Sequence, residues 1–413
     1  MAYDLITSAP EEVGLSGERL ARLDRHYQER YIDAGRLAGV LTLVHRRGQT
    51  VHLSAQGWAD RERERPMRAD DLFRIYSMTK PITSIAFMML VEEGAVRLDD
   101  PVHRVIPEWK DLGVFAGGLE GRFVTRRTSR PMLMVDLLRH TSGLTYGLQQ
   151  RTNVDAIYRA RDYGVPGGKC TLDEMIAGLA ELPLEFSPGD AWNYSISTDV
   201  VGYLVGKISG VPFERFVQER IFDPLGMDET GFHAPPAHAG RLAACYIAGA
   251  DGKAKLSDDP QTSPFLKEPG FVSGGGGLVS SAADYLKFAR MLLNGGELNG
   301  RRLVGPKTLQ LMTANHLPGG RDLGSMSISL FSEATYQGVG FGLGFAVTLD
   351  PVKTLLPESA GNFYWGGAAG TYFWVDPAED LIVIFMTQLL GYGPELRREL
   401  KTLVYSALTE SFA

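Results

Sequence analysis

The chain of 413 residues carries 42 basic against 49 acidic side chains, a formal charge of -7, and 44% of its residues are hydrophobic. That length can bury a large core, in two domains or in one domain with an insertion. The negative balance disfavours nucleic acid as the main partner, because neutralising phosphates requires a basic face. No apolar run approaches membrane-spanning length, and Met1-Ala2-Tyr3-Asp4-Leu5-Ile6 has neither a basic leader nor an apolar stretch, so neither a membrane anchor nor secretion is expected. Cys170 and Cys245 are the only cysteines, far apart and without metal-ligand spacing. A cytoplasmic protein follows, with no disulfide implied and no signature of an oligomeric state.

Leu15 to Tyr31 has helical spacing of apolar residues, with Ser16 placed as N-cap. The period then changes to two: Gly39 to His45 and Thr50 to Ser54 flank Arg46-Arg47-Gly48-Gln49 and predict a hairpin. Arg61-Glu62-Arg63-Glu64-Arg65 alternates in sign and reads as a solvated turn, and Arg122, Arg126, Arg127 and Arg130 as basic surface. Asp71 to Tyr76 reads as extended, and Ile82 to Glu93 as a buried helix. Helical spacing recurs over Pro131 to His140, Leu172 to Leu182, Ser197 to Ser209, Pro212 to Ile221 and Ala282 to Leu293. Ala250 to Lys255 and Gly319 to Asp322 read as exposed loops. A second hairpin, Gly370 to Val375 and Leu381 to Met386, precedes a terminal helix from Glu395 to Leu408.

The expected fold class is α+β: a central antiparallel sheet formed by both chain ends and flanked by helices, with a mainly helical domain inserted between them. Approximate limits are 1–80 and 230–413 for the sheet domain and 81–229 for the insertion. A cleft between the two is the expected catalytic site.

Ser77-Met78-Thr79-Lys80 supplies the chemistry. A serine three residues before a lysine puts a nucleophile and a base on one helix face, and it is the only such pairing here. If Ser77 opens the helix, its N–H and the positive helix end favour negative charge developing on an oxygen. Lys80 can act as base only when neutral, which burial and a proton-sharing neighbour promote. Tyr194 fits as that neighbour, in a polar loop just ahead of the Ser197 helix. In Trp365-Gly366-Gly367-Ala368-Ala369-Gly370 the small residues permit close backbone approach, and the Ala368 N–H is a candidate second oxyanion donor. Ser273-Gly274-Gly275-Gly276-Gly277 lacks the Gly-Lys-Ser/Thr ending of a phosphate cradle, and no G-x-S-x-G is present. The eight histidines suggest no metal, His140 being expected in a structural hydrogen bond. Tyr146, Trp192, Phe341, Phe363 and Tyr364 are candidates for an acyl pocket or for the core.

Ser77 to Lys80, Leu138-Arg139-His140-Thr141-Ser142-Gly143-Leu144, Tyr194-Ser195, Gly275 to Ala282 and Trp365-Gly366-Gly367 occur in the order found in the serine β-lactamase-like superfamily. The chain resembles its class C branch, and within it the family VIII carboxylesterases, from about Leu15 to the terminal helix. The resemblance implies a β-lactamase/penicillin-binding-protein-like fold, Ser77 as acylated nucleophile, Lys80 and Tyr194 as general base and acid, and the N–H groups of Ser77 and Ala368 as oxyanion donors. No cofactor is implied. Where class C enzymes have Tyr-x-Asn this chain has Tyr194-Ser195-Ile196, and where they have Lys-Thr-Gly it has Trp365-Gly366-Gly367. Replacing a cation by an apolar ring disfavours carboxylate-bearing lactams by at least about 1.5 kcal/mol and favours neutral small-molecule esters. The expected activity is hydrolysis of short- to medium-chain carboxylic esters through an acyl-enzyme, with room for weak β-lactam hydrolysis. Acyl transfer to an alcohol, a β-lactamase or D-alanyl peptidase, and a noncatalytic binding module are the alternatives.

Overall fold

The computed structural model describes residues 5–412 except 167, 169 and 330–335. Its architecture starts from Leu381–Met386, whose sequence LIVIFM is apolar throughout and wholly buried. A strand apolar on both sides needs a layer on each face, and Gly39–Arg46, equally buried, lies beside it. These two strands join the chain ends in an eight-stranded antiparallel sheet. Across it run Val339–Phe341, Ala346–Thr348, Phe363–Gly366, Tyr372–Asp376, Leu381–Met386, Gly39–Arg46, Gln49–Asp60 and Arg65–Pro66.

Alternation assigns the faces. Phe385 and Trp374 meet Tyr27 and Tyr405 at ring separations of 5.0 and 5.9 Å, so the Gly17–Tyr27 and Glu395–Tyr405 helices cover one face. Phe373, one residue over, meets Tyr285 of the Ala282–Leu293 helix at 4.9 Å on the other. Each large apolar side chain enclosed this way contributes about 1.5–3 kcal/mol. The first hairpin closes on Arg47 and Gly48 at φ of 50 and 73°, the left-handed pair that a two-residue turn demands.

The first helix is capped as expected, Ser16 accepting from the Arg19 N–H. The strands Val339–Phe341, Ala346–Thr348 and Phe363–Gly366 escape the pattern because three or four residues are too few to show a period. Two further hairpins are also unanticipated, Val114–Gly117 with Val124–Arg126 and Cys245–Ala248 with Ala254–Asp258. The second corrects the loop reading of Ala254 and Lys255: only the tip, closed by Gly249 N–H donating to Lys253 O at 2.8 Å, is a turn. The Pro131 to His140 helix contracts to Met134–Leu138. The charged runs do more than face water. Arg63 bridges Asp60 and Asp259 at 2.7 Å each, and Arg130 grips the buried Asp136 at 2.6 and 2.8 Å.

His45, near the turn end of the Gly39–Arg46 strand, is 3% exposed and 3.0 Å from Thr50 Oγ1. Burial, helped by the charge of Arg290, pushes its imidazole down from 6.5 to about 4. As pH falls below 6.5 the unfolded chain takes up a proton that the folded ring refuses, and stability is lost down to about pH 4. At 1.36 kcal/mol per pH unit the loss is about 3 kcal/mol. Urea unfolding of His45→Gln should therefore decline less steeply than wild type between pH 7 and 4; parallel slopes would exclude this origin.

Among the described residues, no helix is long and apolar enough to cross a membrane.

Candidate active site

Phe73–Arg74 pairs with Val279–Ser280, and the chain then turns sharply, Tyr76 adopting φ 42°. Left-handed backbone at a tyrosine stores strain of order 1 kcal/mol, and it lies directly ahead of Ser77. Ser77 falls in a 3₁₀ turn, Tyr76–Met78, with the α-helix beginning at Thr79, two residues later than the sequence suggests. The three-residue offset still works: Lys80 Nζ lies 3.1 Å from Ser77 Oγ.

Lys80 is 1% exposed, and an ammonium taken so far out of water needs acceptors. It donates to Ser77 Oγ, to Tyr146 OH at 3.2 Å and to Gly275 O at 2.6 Å, and lies 4.5 Å from the centre of the Tyr194 ring. Tyr194 is thus brought to the Ser77–Lys80 pair from a distant loop. That loop is pinned by Asn193 Nδ2 donating to Leu144 O and Gln149 Nε2 donating to Tyr194 O, at 3.0 and 3.1 Å. The Tyr194 ring sits among Tyr146, His140 and Trp365 at 5.4, 4.9 and 5.3 Å. His140 Nδ1 is 3.3 Å from Ser195 Oγ, and burial with the charge of Lys80 holds its imidazole neutral, well below the usual range.

Trp365 is more than an apolar wall. Its Nε1 donates to Tyr194 OH at 3.3 Å, and Phe341 packs edge-on against its ring at 5.2 Å. Gly366 and Gly367 are small for steric reasons. A Cβ on Gly366 would stand 2.3 Å from the Arg397 guanidinium, and one on Gly367 would stand 2.4 Å from Ile75 O. The turn carrying Ala368 therefore abuts the backbone two residues ahead of Ser77. Thr371 Oγ1 ties it there by donating to Ile75 O at 3.3 Å. Among the described residues, the N–H groups of Ser77 and Ala368 donate to no protein acceptor, as oxyanion donors require.

Several contributors were not legible in the sequence. The Gly275 carbonyl holds Lys80, a role that the segment Gly275 to Ala282, matched as part of the family resemblance, does not itself indicate. Arg397, on the terminal helix, donates to Gly367 O and Thr371 O at 2.8 Å each, and no sequence signal marks it. Of the candidate pocket aromatics, Tyr146 and Trp192 pack against Tyr194 and Phe341 against Trp192 and Trp365, whereas Phe363 packs on Phe345 and Tyr364 faces Lys401. Ile196, where class C enzymes carry an amide, is wholly buried; a Cβ on Gly164 would meet it at 2.3 Å. Gly277 lines a cavity of about 400 Å³ in which Phe232, Phe265 and Phe271 share the walls with Thr262, Lys267 and Glu268. That volume lies in the range of small-molecule pockets, and its mixed aromatic and charged lining carries no signal in the sequence. Among the described residues, no group of three or more His, Cys, Asp or Glu is placed to hold a metal.

The family model described as Beta-lactamase matches residues 20–406. Protein Rv1367c of Mycobacterium tuberculosis is 37% identical over 362 residues, 86% of this chain and 87% of that protein. Esterase EstB of Burkholderia gladioli is 33% identical over 404 residues, 94% and 95% of the two chains. The solved structure of EstCE1, described as a hydrolase with promiscuous acyltransferase activity, superposes with a TM-score of 0.78 at 27% identity, covering 95% of this chain and 99% of its own.

Proposed function

The chain belongs to the beta-lactamase family and is a serine hydrolase, and on that premise we propose that it is a carboxylesterase cleaving neutral short- to medium-chain esters through an acyl-enzyme on Ser77. The observation that carries the reading is the contact of Lys80 with both Ser77 and Tyr194 beside Trp365, where class C enzymes have a lysine. Ser77 Oγ attacks the ester carbonyl while its proton passes to the Lys80–Tyr194 pair. The N–H groups of Ser77 and Ala368 stabilise the oxyanion. Tyr194 returns the proton to the departing alcohol, and water, deprotonated by the same pair, releases the acid. Trp365, buried where class C enzymes have a cation, suits an uncharged acyl group.

Initial rates decide the substrate class. Nitrophenyl butyrate should be turned over at least about tenfold faster than a chromogenic cephalosporin, in keeping with the lost charge-assisted contact. Faster cephalosporin cleavage would make the protein a β-lactamase.

A second reading passes the acyl group to an alcohol, favoured by the likeness to EstCE1 across nearly the whole of both chains. Predominant formation of a new ester when an alcohol competes with water would establish it. The free thiols of Cys170 and Cys245 suit a cytoplasmic location, and the acidic balance suits a small-molecule ester, not nucleic acid, as partner.

A further inference from the structure

Asp199, on the Ser197–Ser209 helix, is completely buried behind the glycine run that holds Lys80. Its Oδ1 accepts from Ser273 Oγ at 2.6 Å and from the Gly275 N–H at 3.0 Å. The carbonyl of that same Gly275 accepts from Lys80 Nζ at 2.6 Å. Asp199 Oδ2 has no hydrogen-bond partner among the described residues, and a Cβ on Gly275 would fall 2.5 Å from it. Thr83, on the Lys80 helix, ties the neighbouring peptide by donating to Gly274 O at 2.7 Å. Carboxylate, peptide and ammonium therefore form one rigid line ending at Ser77.

We propose that Asp199 is a positioning residue for nucleophilic attack by Ser77: its ionised carboxylate fixes the Gly275 carbonyl against Lys80 and supplies the buried negative charge that balances the ammonium beside Ser77. The proposal rests on the serine-hydrolase reading of that site. A buried carboxylate with an unpartnered oxygen costs stability, and a site that needs only a hydrogen-bond acceptor is served as well by an amide. Burial pushes the Asp199 carboxyl up, while Lys80 and the donors from Ser273 and Gly275 pull it down. The groups facing Asp199 are Lys80 and, more weakly, the Cys170 thiol; Lys80 in turn faces Tyr146, Tyr194 and His140.

Removing a buried negative charge eases proton loss from every group that faces it, whichever of Lys80 and Tyr194 is the base. Asp199→Asn keeps the shape and an acceptor for Ser273 and Gly275. Its pH profile of kcat/KM on nitrophenyl butyrate should move to lower pH by about one unit, with KM within about twofold of wild type. The rate of Ser77 labelling by a fluorophosphonate should shift equally, and it needs the nucleophile but no ester specificity. Labelling that moves while ester turnover is absent in wild type would sink the esterase reading and keep this one. A folded Asp199→Asn protein whose profiles superpose on wild type overturns the proposal, since a purely structural carboxylate would lower stability without moving them. If the amide variant does not fold, Gly275→Ala decides, because its Cβ displaces the Lys80-binding peptide but leaves the charge. It should lose about 10²-fold in kcat with an unmoved profile, and wild-type kcat would refute the positioning role.

Discussion

Ser77→Ala should lose ester turnover by on the order of 10⁴-fold or more while folding normally, because no other hydroxyl replaces the nucleophile once the acyl-enzyme is gone. The structure separates the two consequences. Lys80 would keep Tyr146 OH and Gly275 O as acceptors, so one lost hydrogen bond costs about 1 kcal/mol, well short of unfolding the chain. Ester kinetics and a thermal melt measure the two effects together. Mass spectrometry after treatment with a fluorophosphonate should place one adduct on Ser77 in wild type and none in the variant. Turnover near the wild-type level in Ser77→Ala would remove the proposed nucleophile. Absence of an adduct in active wild-type enzyme would count against a covalent route.

Tyr194→Phe should cost 10²- to 10⁴-fold in kcat with little change in KM, the range expected when a positioned proton carrier is deleted. Only the phenolic oxygen goes. The ring would keep its packing against Trp365, Tyr146 and His140 at 5.3, 5.4 and 4.9 Å, so binding walls and loop position persist. The structural cost falls on Trp365 Nε1, which loses its 3.3 Å acceptor inside the protein, worth about 1–3 kcal/mol. A variant that retains kcat within about threefold would show that Lys80 alone carries the proton, and Tyr194 would be reduced to a packing residue.

The elements that were legible are those whose own chemistry decides their conformation. Ser16 caps a helix whose apolar residues recur at helical spacing, Arg47-Gly48 closes a two-residue turn, and Leu381–Met386 is too apolar to be anything but enclosed. Short strands such as Val339–Phe341 were not, because three residues around a glycine carry no period and are held only by pairing with Ala346–Thr348 at the edge of the sheet. In the site, Ser77 and Lys80 are neighbours along the chain and so betray themselves by spacing, and Tyr194 and Ala368 were suggested by polar or small-residue surroundings. Gly275 stood out only as part of a glycine-rich matching segment, without its role, and Asp199 and Arg397 were silent. A carbonyl is present at every residue, and a buried carboxylate or guanidinium looks in sequence like any surface charge.

From its order of residues alone this protein declared an apolar sheet joining its two ends and a serine–lysine pair one helical turn apart, since both are set by interactions a few residues long. Only the tertiary structure decided which groups surround that pair. It set Tyr194 against Lys80, turned the Trp365 indole N–H toward the phenol, and wedged Gly367 under the Ile75 carbonyl. Those contacts span more than a hundred residues of chain and exist because close packing leaves each side chain one place to go.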